Sequence, residues 1–341
     1  MIPYTRKTLP NGLTVVVNRD RASKLAAVNI LYRVGARNEN PARTGFAHLF
    51  EHLMFRGTRA VENFDLPVQM ASGDNNAFTN NDYTDFYITL PKDNLETALW
   101  LESDRMEGLD ITPAKLEAEK KVVIEEFRQR YLNQPYGDQT MLLRALAYKV
   151  HPYRWAAIGL ATDHIAGATL ADVESFYRAH YRPSNAILSI SADMEEERML
   201  ELAEKWFAPL ADHPSATAAI PQEPMQTQAR RQEVERDVPA STVTVAYHMC
   251  ARTKLDFYTA DLVSDLLSGG DSGRLYTHLV KERNLLSSVN AYITGDVDPG
   301  LFVFTGQLLP GVTPEAAEAA FREEIEALQT TVATAYEIEK V

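Results

Sequence analysis

Residues 44–57 of the chain read TGFAHLFEHLMFRG. The apolar residues recur at the i, i+3, i+4, i+7 spacing of an amphipathic helix, and His48, Glu51 and His52 fall on the opposite face. Two imidazoles one helical turn apart can direct their nitrogens at one metal ion. The stretch therefore predicts a helix that carries part of a metal site, the alternative being a solvated helix face with no ligand role.

A zinc site of this kind needs one more protein ligand, with water in the open position. Because Cys250 is the only cysteine, we expect a carboxylate. The helical pattern over residues 113–131 offers Glu119, Glu125 and Glu126. Glu119 and Glu126 are two turns apart and share a stripe with apolar residues, whereas Glu125 lies about 100° away. We predict Glu126 as the third ligand and Glu119 as a group that orients a ligand or the water; an exposed, charge-rich helix is the alternative.

Composition limits the class of protein. A chain of 341 residues predicts two domains. The formal net charge of −13 argues against nucleic acid or an anionic membrane as the main partner. The N-terminus lacks the features of a signal peptide and no apolar run reaches membrane-spanning length, so we expect a soluble, cytoplasmic protein. A chain whose leader had been removed, as in a periplasmic protein, would begin in the same way.

The order of patterns predicts an α+β fold of two repeated α/β sandwich units. We assign a zinc-binding catalytic domain to residues 1–208, a linker rich in Pro, Ala, Thr and Gln to residues 209–237, and a second domain to residues 238–341. The chain ends at what looks like the start of another helix, so we expect the second domain to be incomplete at its C-terminus. The predicted strands are residues 13–20, 26–35, 76–90, 185–194, 241–250, 287–295 and 300–309, and the predicted helices are residues 95–106, 113–131, 138–149, 169–181, 256–269 and 273–284.

Five segments together resemble a known family, the zinc peptidases with the inverted His-x-x-Glu-His motif of the pitrilysin and insulinase type, which include the mitochondrial processing peptidase. The resemblance covers about residues 5–195, and more loosely residues 240–310. The segments are GFAHLFEHLMFRGT (45–58), NNAFTNNDYTDFY (75–87), EKKVVIEEF (119–127), HPYRWAAIG (151–159) and FYRAHYRPSNAIL (176–188).

The resemblance implies a zinc-dependent endopeptidase that hydrolyses extended or unfolded peptides. It implies one Zn²⁺ per chain, held by His48, His52 and Glu126, with Glu51 as the general base that activates water and Glu119 in support. It also implies that related proteins fold each half as an α+β sandwich and close two such pairs into a chamber.

The same resemblance implies a place for the substrate. In the family an Asn-Ala-x-Thr edge strand binds the peptide as an added strand, and Asn76, Ala77 and Thr79 stand at the matching positions. Main-chain pairing at a sheet edge holds an extended peptide with little demand on its sequence.

The second half departs from the family pattern. Members often carry an Arg and, seven residues later, a Tyr that help to hold the substrate carbonyl, but Val280 and Ser287 occupy those positions here. We therefore expect the metal-bearing subunit of a homo- or heterodimer whose related partner supplies the Arg and the Tyr. Two alternatives remain: a non-catalytic scaffold or assembly subunit of the same fold, and a small-molecule lyase that would use Cys250 as a ligand to iron.

Overall fold

The computed structural model describes residues 2–213 and 219–341. The chain forms two compact units, each assembled from two segments. Both units combine helices with an antiparallel or mixed sheet, which confirms the predicted α+β class. Unit 1 comprises Met1–Gln134 and Tyr148–Thr227, and unit 2 comprises Pro135–Ala147 and Gln228–Val341.

Unit 1 is built on one six-stranded sheet. Its strands are β1 (Thr5–Thr8), β2 (Thr14–Arg19), β3 (Leu25–Tyr32), β4 (Asp74–Thr79), β5 (Thr84–Pro91) and β6 (Ala186–Ala192). The strand order is β1-β2-β6-β3-β5-β4, with β2 and β6 parallel and every other neighbouring pair antiparallel. Strands β1 and β4 are therefore the two edges of the sheet.

Helices cover one face of this sheet. Alternate residues of β3 and β6 are buried, as expected for strands with one covered face. Helices α3 and α8 pack on that face. The α-helices in chain order are α1 (Phe46–Leu53), α2 (Asp65–Met70), α3 (Leu95–Glu107), α4 (Pro113–Phe127), α5 (Gln139–Ala147), α6 (Thr162–Ala166), α7 (Leu170–His180), α8 (Glu196–Phe207), α9 (Leu255–Ser268), α10 (Pro314–Thr330) and α11 (Ala335–Lys340).

Residues 76–90 form parts of two strands, so the prediction of one continuous strand was wrong. Strands β4 and β5 are joined by a turn in which Asn80 Oδ1 accepts hydrogen bonds from the backbone N–H groups of Asp82 and Tyr83, at 2.8 and 2.9 Å. An Asn side chain that bonds to the backbone two residues later is a usual way to stabilise a turn. The hairpin leaves β4 with a free edge.

Unit 2 has a smaller sheet with its own core. Strands β7 (Thr242–His248), β8 (Leu286–Ile293) and β9 (Leu301–Leu308) pair antiparallel in the order β7-β9-β8. The predicted helix over residues 273–284 is a π-helical segment, Tyr276–Glu282. Helices α9 and α10 supply much of the core. Its buried residues include Val243, Leu267, Leu275, Leu279, Phe304 and Phe321.

Residues 135–147 group with unit 2, although the predicted catalytic domain, residues 1–208, includes them. The hydroxyl of Tyr136 donates a hydrogen bond to the backbone carbonyl of Ala240 at 2.8 Å. This contact joins residues about a hundred positions apart, and hydrophobic periodicity carries no information about such pairing.

Part of the predicted linker, residues 214–218, lies outside the described residues. The described remainder of residues 209–237 contains no helix or strand. Within the described part of the chain, none of the helices has the length and apolar character required to cross a bilayer.

Candidate metal centre

Helix α1 carries the His-x-x-Glu-His motif with its apolar face inward. His48, Glu51 and His52 lie on the other face, as the spacing predicts. The buried face consists of Phe46, Ala47, Leu49, Phe50 and Leu53. Burial of these side chains fixes the rotation of α1, and with it the direction of both imidazoles.

The start of α1 requires a glycine. Gly45 has a φ of +89°, in the left-handed region that favours glycine. A Cβ on Gly45 would lie 2.6 Å from the carbonyl oxygen of Ile158. The loop over residues 151–159 can therefore approach the helix only at a glycine, which ties this distant segment to the position of the motif.

Glu39 holds the N-terminus of α1 and was missed by the sequence reasoning. Its buried carboxylate accepts hydrogen bonds from the backbone N–H groups of Gly45, at 2.9 Å, and Ala47, at 2.8 Å. Burial raises the pKa of Glu39 to about 8, although the N–H groups of Ala47 and Gly45 lower it. An acid seven residues before the first residue of a helix matches no usual capping pattern, so its only sequence signal is its place in the preceding loop.

Helix α4 brings a carboxylate to the two imidazoles. Glu126 Oε2 lies 3.3 Å from His52 Nε2 and 3.6 Å from His48 Nε2. The imidazole ring centroids are 4.9 Å apart. The three residues predicted as ligands thus face one another. Glu125 points away from them and pairs with the exposed Arg128.

This group of side chains fits a zinc ion. One ligand atom from each of His48, His52 and Glu126 lies within 4.8 Å of the others. Among the described residues, no other group of three His, Cys, Asp or Glu side chains meets that condition. Two imidazole nitrogens and one carboxylate oxygen make a donor set typical of catalytic zinc, with one position open for water or substrate.

Glu119 contacts the motif from a second side. Its Oε2 lies 3.5 Å from His52 Nδ1, and its Oε1 lies 2.6 Å from Arg56 Nη2. The Glu119 side chain is only 1% exposed. His52 Nδ1 is the ring nitrogen that does not face Glu126. A carboxylate that contacts this second nitrogen of a metal-binding imidazole orients the ring, so the position of Glu119 suits the supporting role predicted for it.

The two imidazoles differ in their preferred charge. Burial lowers the pKa of His48 to about 4. Burial also lowers the pKa of His52, but the hydrogen bonds that its ring N–H groups donate to Glu119 and Glu126 outweigh burial and bring that pKa to about 9. The hydrogen bond with His52 in turn lowers the pKa of Glu126. In the metal-free protein, His52 is therefore a cation between two carboxylates, and a metal ion must displace its proton.

Glu51 lies beside these residues without being one of the three that converge. Burial raises the pKa of its carboxyl group, against a hydrogen bond from Thr79 and the charge of His52, which lower it. A carboxyl group with a raised pKa is suited to proton transfer near neutral pH.

The predicted substrate residues lie on the edge strand β4, next to α1. Ala77 and Thr79 are half-buried and point to one side of the strand, whereas Asn76 is exposed on the other side. Asn76 Oδ1 accepts a hydrogen bond from the Ala77 N–H at 2.8 Å. Thr79 alone of these three reaches Glu51.

Comparison with known families and structures agrees with this geometry. The family described as "Insulinase (Peptidase family M16)" matches residues 14–155, and the one described as "Peptidase M16 inactive domain" matches residues 167–341. The chain belongs to the M16 (insulinase) peptidase family. The resemblance inferred from the sequence is thereby confirmed.

Similar proteins extend the match over nearly the whole chain. The zinc protease PqqE of Helicobacter pylori is 33% identical over 98% of this chain and 76% of its own length. A crystal structure of a protease from Helicobacter pylori, 31% identical, superposes with a TM-score of 0.94 and covers 100% of this chain and 83% of that one. The probable mitochondrial-processing peptidase subunit beta of Arabidopsis thaliana is 25% identical over 88% of this M16 chain and 59% of its own length.

Replacing Glu39 should destabilise the start of α1. Glu39→Ala leaves two backbone N–H groups without their acceptor, so we expect the free energy of unfolding of the metal-free protein to fall by about 1–3 kcal/mol. Urea denaturation followed by circular dichroism measures this. The control is Glu125→Ala, which removes an exposed acid and should change the free energy by no more than about 0.5 kcal/mol. Equal effects of the two substitutions would contradict the capping role.

The charge of His52 predicts how metal binding depends on pH. With a pKa of about 9, His52 is protonated at pH 7.5 in the metal-free protein, whereas His48, with a pKa of about 4, is neutral. Zinc must displace one proton from His52, so apparent affinity should fall about tenfold per pH unit as the pH drops below 9. NMR titration of the imidazoles in the metal-free protein, with Glu119→Gln as a variant that lowers the His52 pKa, measures this; a neutral His52 at pH 7.5 would refute it.

Proposed function

We propose that this M16 chain is a zinc-dependent endopeptidase, with one zinc ion held by His48, His52 and Glu126. The observation that carries the proposal is the position of Glu126 Oε2, which lies within 3.6 Å of both histidine Nε2 atoms. The names of the relatives as zinc proteases support the choice of metal.

The mechanism follows from the residues around that point. Zinc, when bound, polarises the scissile carbonyl and lowers the pKa of a coordinated water. Glu51 takes a proton from the attacking water and passes it to the leaving amine, a task to which its raised pKa is suited. Glu119 fixes the His52 ring, and Thr79 fixes Glu51 through their hydrogen bond. The amide bond breaks and a carboxylate and an amine are released.

The edge strand β4 is the proposed seat of the substrate. Its outer edge has no neighbouring strand in the sheet, and Thr79 at its end contacts the general base. An extended peptide that pairs with β4 would pass beside Glu51 and the zinc ligands. Ala77 and Thr79 direct their main-chain groups to the outer edge, because hydrogen-bonded pairs alternate along β4 from Asn80–Tyr83. Asn76 contributes through its exposed side chain. Extended or unfolded peptides are therefore the proposed substrates.

A related partner subunit is the second part of the proposal. Val280 is half-buried against the core of unit 2 and Ser287 is exposed on β8, so neither position offers the donor that an Arg or Tyr would. Arg283, nearby in sequence, pairs with Glu323 at 2.6 Å. The Arabidopsis relative is named as a subunit, which supports a two-chain enzyme, either homo- or heterodimeric.

Separate substitutions should divide metal binding from catalysis. Glu51→Gln should keep zinc and lower the rate of peptide hydrolysis about 10²- to 10⁴-fold, because the proton acceptor is lost. His52→Ala and Glu126→Ala should lose the metal, and Glu125→Ala should keep both metal and activity. Zinc content by mass spectrometry and cleavage of a quenched fluorescent peptide provide the readouts. Normal hydrolysis by Glu51→Gln would refute the base assignment.

The lone chain should bind zinc and cleave peptides slowly. Adding a related M16 subunit that carries the Arg and the Tyr should raise turnover without changing the zinc content of this chain. Rapid turnover by the purified monomer would disprove the need for a partner. A chain that takes up no zinc at all would favour the non-catalytic scaffold, which the match to a family described as an inactive domain also brings into consideration.

A further inference from the structure

We infer that Arg130 is a positioning residue that restricts Glu126 to one oxygen as a zinc ligand. The inference rests on the proposed zinc site and concerns a residue that lies outside the ligand set. Arg130 follows Glu126 by four residues, and its Nη2 lies 3.1 Å from Glu126 Oε1. The guanidinium thus contacts the oxygen that does not face the histidines.

The two oxygens of Glu126 have separate partners. Oε2 lies 3.3 Å from His52 Nε2 and 3.6 Å from His48 Nε2, whereas Oε1 faces Arg130. The Glu126 side chain is 18% exposed, and the Arg130 side chain is 67% exposed. A guanidinium is a strong hydrogen-bond donor to carboxylates and holds them in a defined plane.

Restricting Glu126 has a chemical consequence. A free carboxylate can bind a metal through both oxygens and so occupy the position that a catalytic site leaves for water and substrate. With Oε1 engaged by Arg130, only Oε2 is directed at the ligand point. The pair therefore favours a low coordination number with an open position.

The backbone at Arg130 supports a specific role. Helix α4 continues beyond Phe127 as a π-helical segment, Arg128–Leu132, in which the N–H of Asn133 donates to the carbonyl of Arg128 at 2.8 Å. Such π-helical segments are rare and occur often at functional sites. The i,i+4 spacing places Arg130 on the same helix face as Glu126.

A neighbouring ion pair provides the contrast. Arg128 and Glu125 also lie on this stretch, 3.6 Å apart, and both side chains are more than half exposed. Arg130 is also more than half exposed, so the two arginines are alike in exposure. They differ in the carboxylate they contact, which makes Arg128 a matched control.

The test compares Arg130→Met with Arg128→Met and with the conservative Arg130→Lys. Zinc dissociation constants are measured by competition with a chelator, and the visible absorption of the Co²⁺-substituted proteins reports the coordination number. Because Arg130→Met removes a positive charge beside the ligands and frees Oε1 as a further donor, the zinc dissociation constant should fall, by about three- to tenfold. The visible absorption of its Co²⁺ form should weaken, because Glu126 Oε1 becomes an additional ligand and a higher coordination number lowers the intensity of the Co²⁺ bands. Arg130→Lys should bring the zinc dissociation constant and the Co²⁺ absorption part of the way back to the wild-type values. Arg128→Met should match the wild type in both measurements.

Each result decides the matter. A Co²⁺ spectrum of Arg130→Met that matches the wild type would overturn the inference, even with a lower dissociation constant, since lost charge alone tightens cation binding. A higher dissociation constant would also overturn it, since that would mean that Arg130 holds Glu126 in place and does not restrict it. Failure of the wild-type chain to bind zinc would overturn the proposed function itself. Metal affinity and spectra need no peptidase activity, so a dependence on a partner subunit does not affect the outcome.

Discussion

The candidate site depends on one packing relation, the contact of α1 with α4 inside unit 1. Buried side chains fix the rotation of each helix. They are the apolar face of α1, opposite its histidines, and on α4 the fully buried Val123, which lies on the same inward face as Glu119. Because side-chain direction in a helix follows its rotation, these apolar contacts determine where His48, His52 and Glu126 meet. A rotation of α1 by one residue would turn both imidazoles away from Glu126.

Charge balance explains how such a site can form before any metal is present. Two ionised carboxylates in a half-buried cleft repel each other and lose solvation, which would be costly without partners. Glu119 forms an ion pair with Arg56, and Glu126 forms one with Arg130. The cationic His52 lies between the two carboxylates. Binding of a divalent cation replaces the proton of His52, so the local charge rises by only about one unit. The cationic His52 thus keeps the ligands assembled in the absence of metal.

The features that could be predicted from the sequence are those that depend on residues close together in the chain. That His48 and His52 share one helix face follows from helical periodicity alone. The choice of Glu126 over Glu125 follows from which side of α4 faces the interior. Both can be predicted from a few neighbouring residues. The assignment of residues 135–147 to unit 2 depends on contacts between distant segments. The role of Glu39 depends on an irregular loop that returns its carboxylate to N–H groups six and eight residues later. The break of residues 76–90 into a hairpin depends on one Asn side chain in a run that otherwise reads as strand. Such contacts leave no periodic signal.

Unit 2 meets a different constraint at Val280. This residue packs against the hydrophobic core that includes Leu279 and Phe321, on a π-helical segment, Tyr276–Glu282. A core of this small three-stranded sheet has few apolar side chains, and burying a guanidinium among them would cost several kcal/mol unless it were paired. An apolar residue at this position therefore favours the stability of unit 2 over carbonyl binding. In the proposed two-chain enzyme, this chain keeps the valine and a related partner carries the arginine.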